Sequence, residues 1–302
     1  MNYHLFGAAT SSGFAFREHA LAQSHGTRIL TYSRSPSPSD SSHFQVDFSD
    51  PCSLRPLFEE SEQSVLVSFA PIWLFAPFLN RLASAFPDSF SAVRGVIACS
   101  SSSAITKRFA SNSFDRQLVT LLSGAEAQLL ATCRLLNVPC HILQPTLIYG
   151  QAGPYRDHNL SNILGLLRRL PCLPLPAESG LRQPIHASQL AAVAFHLAEQ
   201  LRRSGCDSSM PERITLGGDT ALPYSAMISA LQEAHPVDDP ARRCLLLPIP
   251  NRFFFSLAAP LLLFSPKYFE AVLRIGANLS GFTPAHQLLG REPQPFPVFP
   301  LA

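Results

Sequence analysis

Tyr3-His4-Leu5-Phe6-Gly7-Ala8-Ala9-Thr10-Ser11-Ser12-Gly13 opens the chain's first structural unit. A strand-like run, 3–6, meets a Gly-containing turn, and 14–23 follows at once with the composition of a helix. In that strand–turn–helix order a glycine loop can cradle a pyrophosphate. Glycine permits the tight turn and lets backbone N–H groups approach, while the helix N-terminus supplies partial positive charge. The spacing is G-x-x-G-x-x-G with Thr10 in place of the middle glycine. Two matched glycines fit an ordinary βα turn equally well, so the stretch alone leaves both readings open. A side chain at the middle position also crowds a pyrophosphate, which predicts a shifted or weakly held cofactor.

Outward from this stretch, strand and helix alternate. Residues 28–32 read as a second strand bounded by Gly26 and Ser33, followed by a Ser/Pro-rich loop over 33–42. A third strand is predicted over 44–48, with Asp47 inside it. Asp50-Pro51 then supplies a cap and a first-turn proline for a helix to about 60. The run 64–69 hardly alternates, as suits a parallel strand covered on both faces. A helix over 73–86, a strand over 93–99, a long helix over 115–136 and a strand over 140–143 complete the set. Six strands separated mostly by helices predict an α/β fold, a doubly wound parallel Rossmann-type sheet with right-handed crossovers.

Beyond Gly150 the rhythm loosens and proline rises. A helix is expected over 159–170, irregular chain over 171–176, a helix capped by Ser188 to about 202, and a returning strand over 213–216. Two helical pieces surround 244–249, and 283–290 holds a helix start, a helix stop and little between. The expected division is a dinucleotide-binding domain over 1–150 and a smaller substrate-side region over 151–302. Within the latter, about 185–217 packs back on the first domain.

The 302 residues carry a formal charge of +2 with only 15% charged side chains, and no basic block resembles a nucleic-acid footprint. Seven cysteines, odd in number and never in Cys-x-x-Cys, read as buried or half-buried thiols of a reducing compartment; neither disulfide nor metal framework is expected. The first residues lack a basic stretch followed by an apolar one, so no signal peptide is expected and the cytoplasm is the predicted location. The apolar run 253–264 contains Pro260 and falls short of the roughly 20 residues a spanning helix needs. A core helix is the favoured reading, with a surface for a partner or membrane interface as the alternative.

The glycine turn, Asp47, Ser100-Ser101-Ser102-Ser103, Gln144-Pro145-Thr146-Leu147-Ile148-Tyr149-Gly150 and Gln183-Pro184-Ile185-His186 occur in an order that resembles the extended short-chain dehydrogenase/reductase superfamily. More narrowly, the chain is similar to nucleoside-diphosphate-sugar epimerase/dehydratase-like proteins. The resemblance covers nearly the whole chain. It implies a nicotinamide dinucleotide bound by Gly7, Thr10, Ser12 and Gly13, with Asp47 accepting from the adenine amine and Phe69 and Pro145 at the strand ends beside the cofactor. Asp47 could equally be a strand-end cap. NAD-preferring relatives place a carboxylate after the second strand. This chain has Ser33-Arg34, and Arg34 could pair with a 2′-phosphate, which favours NADP over NAD unless the arginine is simply solvated.

The catalytic set departs from the family. The resemblance implies a Ser or Thr after the fifth strand, here Ser102, and a Tyr-x-x-x-Lys pair on the next helix that supplies a phenol and the ammonium that lowers its pKa. With Glu126 aligned to the family's common glutamate, Leu118 and Leu122 stand where Tyr and Lys should. Glu126 lies one turn beyond Leu122 on the same face and could act as acid/base or form a structural ion pair. Lys107 could supply an ammonium or be a solvated surface lysine; Tyr149 could donate a proton, although in relatives such a tyrosine is commonly structural. His186 matches a family histidine near the cleft, more often a hydrogen-bonding support than a base. Tyr155, Asp157 and Asn159, with Arg182, occupy positions that line the substrate pocket in relatives and could bind a sugar or diphosphate. Thr106-Lys107, Asp157-His158-Asn159-Leu160-Ser161 and Arg182 to His186 also resemble the segments of a variant subgroup, which favours a distinct site over decay.

Two functions follow. One is NAD(P)-dependent chemistry on a nucleotide-linked sugar or similar alcohol or carbonyl. The other is a non-catalytic dinucleotide-binding sensor or scaffold. A small-molecule substrate and, from the resemblance, a homodimer are the expected partners.

Overall fold

The computed structural model describes residues 2–23, 27–34, 41–50, 57, 62–204 and 210–301. Eight parallel strands form one sheet: β1 (Asn2–Phe6), β2 (Arg28–Ser33), β3 (His43–Gln45), β4 (Ser64–Ser68), β5 (Val93–Cys99), β6 (Cys140–Pro145), β7 (Arg213–Gly217) and β8 (Thr283–Pro284). Their spatial order is β8-β7-β6-β5-β4-β1-β2-β3. The direction of winding reverses between β1 and β4, which pair in register from Asn2–Ser64 to Phe6–Ser68. A crevice outside the carboxyl ends of the strands at such a reversal is where open α/β sheets bind ligands.

The sheet is covered twice because its side chains alternate between two apolar faces. Phe6, Leu66, Val96, Ala98 and Ile142 point to one core, closed by helices α2 (Ile72–Ala85) and α3 (Ser113–Leu135). Tyr3, Leu5, Val65, Val67, Ile97 and Leu143 point to the other, which includes residues of α1 (Ser11–Gln23) and α5 (Ala187–Ser204). All five residues of β4 are buried, as expected of a strand with little alternation. Each large side chain buried this way contributes about 1.5–3 kcal/mol. Over the carboxyl ends of the strands lies a third cluster, built from α4 (Asn159–Arg169), α6 (Tyr224–Glu233) and the paired strands Cys172–Pro176 and Leu245–Ile249.

Several expectations are corrected. β3 is a three-residue strand, and Asp47 lies two residues past it, exposed, where its Oδ1 accepts from Ser49 N–H in a local turn. Residues 172–176 form a strand, because each member of this isolated pair is an edge and tolerates the missing N–H of proline. Ser188 lies inside α5, whose cap is His186. The His186 Nδ1 accepts from Ser188 N–H at 3.2 Å, and Gln189 Oε1 accepts from His186 N–H at 3.1 Å, a reciprocal capping box. Thr283–Pro284 adds the eighth strand ahead of a short helix, Ala285–Leu289, that ends on the left-handed Gly290. The predicted helix from 50 to about 60 and Cys52 and Cys206 fall largely or wholly outside the described residues.

The apolar run 253–264 is not core. Pro260 divides it into α7 (Asn251–Ala258) and the single turn Leu261–Phe264, and no residue of α7 is buried. These pieces pack on α8 (Pro266–Leu273) and the edge of Cys172–Pro176, and among the described residues no further layer is seen over them. Among the described residues no helix is long and apolar enough to cross a membrane.

Candidate functional site

The glycine loop is fixed by contact between two strand ends. Gly7 has φ +76°, and a Cβ there would lie 2.5 Å from the backbone nitrogen of Ala70. At Gly13 a Cβ would lie 2.3 Å from Gly7 O, so the first turn of α1 can sit against the loop only without a side chain. Thr10 stitches the two together. Its hydroxyl donates to Gly7 O at 2.9 Å and accepts from Gly13 N–H at 3.0 Å, the geometry of an N-cap on α1. The hydroxyl is thus turned into the loop, while Thr10 still contributes to the cleft wall. A glycine-only approach at the winding reversal, beside a helix N-terminus, is a cradle suited to a dinucleotide pyrophosphate.

From Thr10 a cleft of about 770 Å³ runs along the strand ends. Phe69 to Trp73, the serine loop after β5, Leu122, 146–148, α4 and Arg182, Tyr224, Arg274 and Phe282 line it. The serine loop is differentiated within itself. Ser100 Oγ donates to Glu126 at 2.6 Å, and Ser101 Oγ accepts from Ser103 N–H at 3.1 Å. The Ser102 hydroxyl makes no protein hydrogen bond among the described residues, while its N–H is anchored on Pro145 O at 2.9 Å. Neighbouring Cys99 is half-buried, and desolvation of its thiol pushes its pKa up to about 12, so it stays protonated.

Of the residues singled out from sequence, Thr10, Phe69, Ser102, Lys107, Asn159 and Arg182 share this wall. Others stand behind it. Glu126 is buried and accepts from Gln144 Nε2 at 2.9 Å and from Arg213 Nε at 2.9 Å, joining α3 to β6 and β7. The Tyr149 phenol accepts from Val298 N–H at 2.9 Å, and burial raises its pKa. Asp157 accepts from Gly150 N–H and Leu160 N–H, at the start of α4. Tyr155 packs against Phe14 of α1, with ring centroids 5.9 Å apart. His186, already accepting at Nδ1, donates from Nε2 to Pro300 O at 3.0 Å; burial lowers its pKa, in keeping with this neutral tautomer. Arg34 is exposed just past β2, Ser12 is buried in α1, and Pro145 underlies Ser102.

Arg182 is nearly buried, yet its guanidinium donates to main-chain carbonyls only: Leu181 O at 2.8 Å, Ala277 O at 2.7 Å and Arg274 O. It lies 5.4 Å from the centroid of the Tyr224 ring. Burial lowers its pKa, as expected of a cation without a facing carboxylate. Lys107, by contrast, is held by Asp115 at 2.8 Å, and Asp115 also pairs with Arg274. The side-chain cations of the wall are therefore Lys107, Arg182 and Arg274, against one buried carboxylate, Asp115, and Glu270 beside Arg274. The wall attracts an anion. Among the described residues no group of side chains is arranged to hold a metal ion.

Sequence reasoning missed Tyr224, Trp73 and Arg274. Tyr224 is the one phenol of the described cleft wall; burial raises its pKa and Arg182 opposes the rise. It opens α6 directly after Leu222–Pro223 with no motif around it, and only the pairing of that strand with Leu181–Arg182 brings it to the cleft.

No protein-family model and no curated protein matches this sequence, whereas solved structures resemble the fold along its length. A nucleoside-diphosphate-sugar epimerase from Staphylococcus aureus is 19% identical, with 98% of each chain covered and a TM-score of 0.59. Gre2 from Candida albicans, solved in complex with NADPH, is 12% identical over 98% of this chain and 95% of its own, with a TM-score of 0.68. MoeE5, solved with UDP-glucose and NAD, is 16% identical over 98% of this chain and 94% of its own, with a TM-score of 0.58. The chain thus has the Rossmann-type fold of these structures.

Proposed function

We propose that this chain is an NAD(P)-dependent enzyme of the epimerase, dehydratase or reductase kind, acting at a hydroxyl or carbonyl carbon of a nucleotide-linked sugar or similar anionic substrate. The observation that carries this reading is the single cleft joining the glycine loop at Thr10 to the unengaged Ser102 hydroxyl and the uncompensated Arg182. Gly7, Ser12 and Gly13 would hold the pyrophosphate. Arg34, exposed where a ribose-binding carboxylate would stand, favours NADP. A bound nicotinamide supplies hydride transfer. Ser102 orients the reacting oxygen, and Arg182 neutralises the substrate's anionic group. Tyr224, kept protonated by burial, is positioned to give a proton. Glu126 keeps the serine loop in place through Ser100. Tyr149 and His186 hold the wall from behind.

A second reading rests on Leu122. A buried leucine lines the cleft where relatives carry the ammonium of Tyr-x-x-x-Lys, which favours a non-catalytic NAD(P)-binding sensor or scaffold. One series of measurements separates the readings. Trp73, the only tryptophan, lines the cleft and reports cofactor binding by its fluorescence. NADPH should quench it, and turnover against nucleotide sugars and small carbonyls should fall by about a hundredfold in Ser102→Ala and Tyr224→Phe with cofactor affinity kept. Binding without turnover on any of these substrates would favour the sensor. No binding of either nicotinamide nucleotide at millimolar concentration would remove both readings.

A further inference from the structure

The unburied apolar run belongs to a larger face. Lys267 at the start of α8 lies 3.9 Å from the centroid of the Phe114 ring, and Glu270 accepts from Asn112 N–H at 2.6 Å. The loop after the serine run is therefore joined to α8, which in turn packs on α7 and the turn Leu261–Phe264. Across both segments large apolar side chains stand out to solvent: Phe109 is 92% exposed, Leu263 86%, Leu257 73% and Phe253 67%, with Tyr268 and Leu273 beside them. Isolated exposed apolar residues need no explanation, but this many on elements packed against one another do.

Charge is distributed asymmetrically over the same face. Residues 103–118 and 251–276 contain two carboxylates, Asp115 and Glu270, and both are engaged inward with Lys107, Asn112 and Arg274. Arg108, Arg116, Arg252 and Lys267 remain exposed. No carboxylate within these two segments faces out with them; the exposed acid nearest α7 is Glu178, whose main chain is hydrogen-bonded to Asn251, so four exposed cations stand against one exposed carboxylate. A two-fold pairing of this face with a second copy would set these cations against their own images, which is repulsive. Short apolar helices with Phe, Leu and Tyr on the exposed side and Lys or Arg around them have the composition that enters the headgroup–acyl boundary of an anionic bilayer.

We propose that this face docks the protein peripherally on an anionic lipid surface, with Phe253, Leu257 and Leu263 entering the boundary and Arg108, Arg116, Arg252 and Lys267 meeting the phosphates. This is independent of the activity proposed above. A shallow depression formed by Phe109 and Leu273 shares Thr106, Lys107 and Arg274 with the main cleft, so docking would bring that end of the cleft to the lipid boundary.

The test is flotation of the full chain with vesicles of phosphatidylcholine alone or mixed with phosphatidylglycerol, at low and high salt, with light scattering on the protein alone. Expected is co-flotation with the phosphatidylglycerol vesicles, weakened several-fold by salt and at least about tenfold by Leu257→Glu with Leu263→Glu. Circular dichroism and NADPH quenching of Trp73 should be unchanged in that variant. A second variant, Arg252→Glu with Lys267→Glu, keeps the apolar set and should lose the same binding. Two outcomes overturn the proposal: no flotation, with or without a concentration-dependent dimer that Leu257→Glu with Leu263→Glu dissolves; or flotation equal on both vesicles and insensitive to salt and to both variants.

Discussion

Asp115→Asn should loosen the far wall of the cleft by an amount that depends on pH. The Asp115 side chain is 2% exposed and accepts from Lys107 Nζ at 2.8 Å, from Asn112 Nδ2 at 2.8 Å and from Arg274. Burial alone would raise its pKa, but the hydrogen bonds from Asn112, Lys107 and Arg274, with the charge of Lys107, outweigh it and hold the group down to about 2. Against an ordinary aspartate near 3.8 the depression is worth about 2 kcal/mol. A carboxylate with a depressed folded pKa contributes fully above its unfolded pKa and loses that contribution as pH falls through the folded one. The asparagine variant should therefore be about 2 kcal/mol less stable at pH 7, about 1 kcal/mol less stable at pH 3, and nearly equal to the parent near pH 2. Urea unfolding followed by circular dichroism, with m-values compared to confirm the same transition, measures the gap. A gap below about 0.5 kcal/mol at pH 7, or one that is the same at pH 7 and pH 3, would refute the network as described.

Three further outcomes are expected. Arg34→Ala should weaken NADPH about tenfold and NADH by less than about twofold in Trp73 titrations; equal losses would withdraw the NADP preference. Glu126→Gln should lower the thermal midpoint, since it removes the charge facing Arg213, yet leave the pH dependence of turnover in place; a shifted pH profile with unchanged stability would return Glu126 to the chemistry. Gly7→Ala should cost at least about 1–2 kcal/mol and abolish cofactor quenching, because the methyl meets Ala70 and the backbone is left-handed. Unaltered melting and affinity would show that the two strand ends can part without loss.

What could be read from the chain divides along a physical line. The strands of the sheet centre announce themselves because both faces are buried, so 64–68 and 93–99 need nothing but local apolar residues to be recognised. Thr283–Pro284 has no such signature; two residues become a strand only because Leu216 and Gly217 lie beside them. Pro174 and Pro176 argue against a strand until the pairing with 245–249 shows each to be an edge. At the site, the glycine loop and the serine run were legible because each is one short contiguous segment, although Ala70, Glu126 and Pro145, which fix them, are distant along the chain. Arg182 to His186 was legible as a motif but not in its role. Gln183 donates to Gly218 O and Phe282 O, Arg182 to Ala277 O, and His186 to Pro300 O, contacts about 35 to 114 residues away along the chain. The segment clasps later chain around the cleft, and nothing in its own residues could say so. The same holds for 253–264, whose hydrophobicity was plain but whose lack of cover depends on what packs elsewhere.

That clasp has a consequence for the order in which the protein is made. The loops at Gly7 and Ala70, which would form the proposed nucleotide cradle, leave the ribosome about two hundred residues ahead of Arg274, Leu279 and Phe282 of the opposite wall. Until then β7 has no neighbour on its outer side and Arg182 lacks the carbonyls that satisfy it. Long-range closures of this kind are slow. In refolding, quenching of Trp73 by NADPH is therefore expected to return before the burial of residues 274–282, as read by amide hydrogen exchange. If the two recover together, wall and cradle form in one step. On that order every molecule passes through a stage in which the first half of the cleft stands alone, and a nucleotide bound by the proposed cradle would at that stage be a template on which the late wall closes.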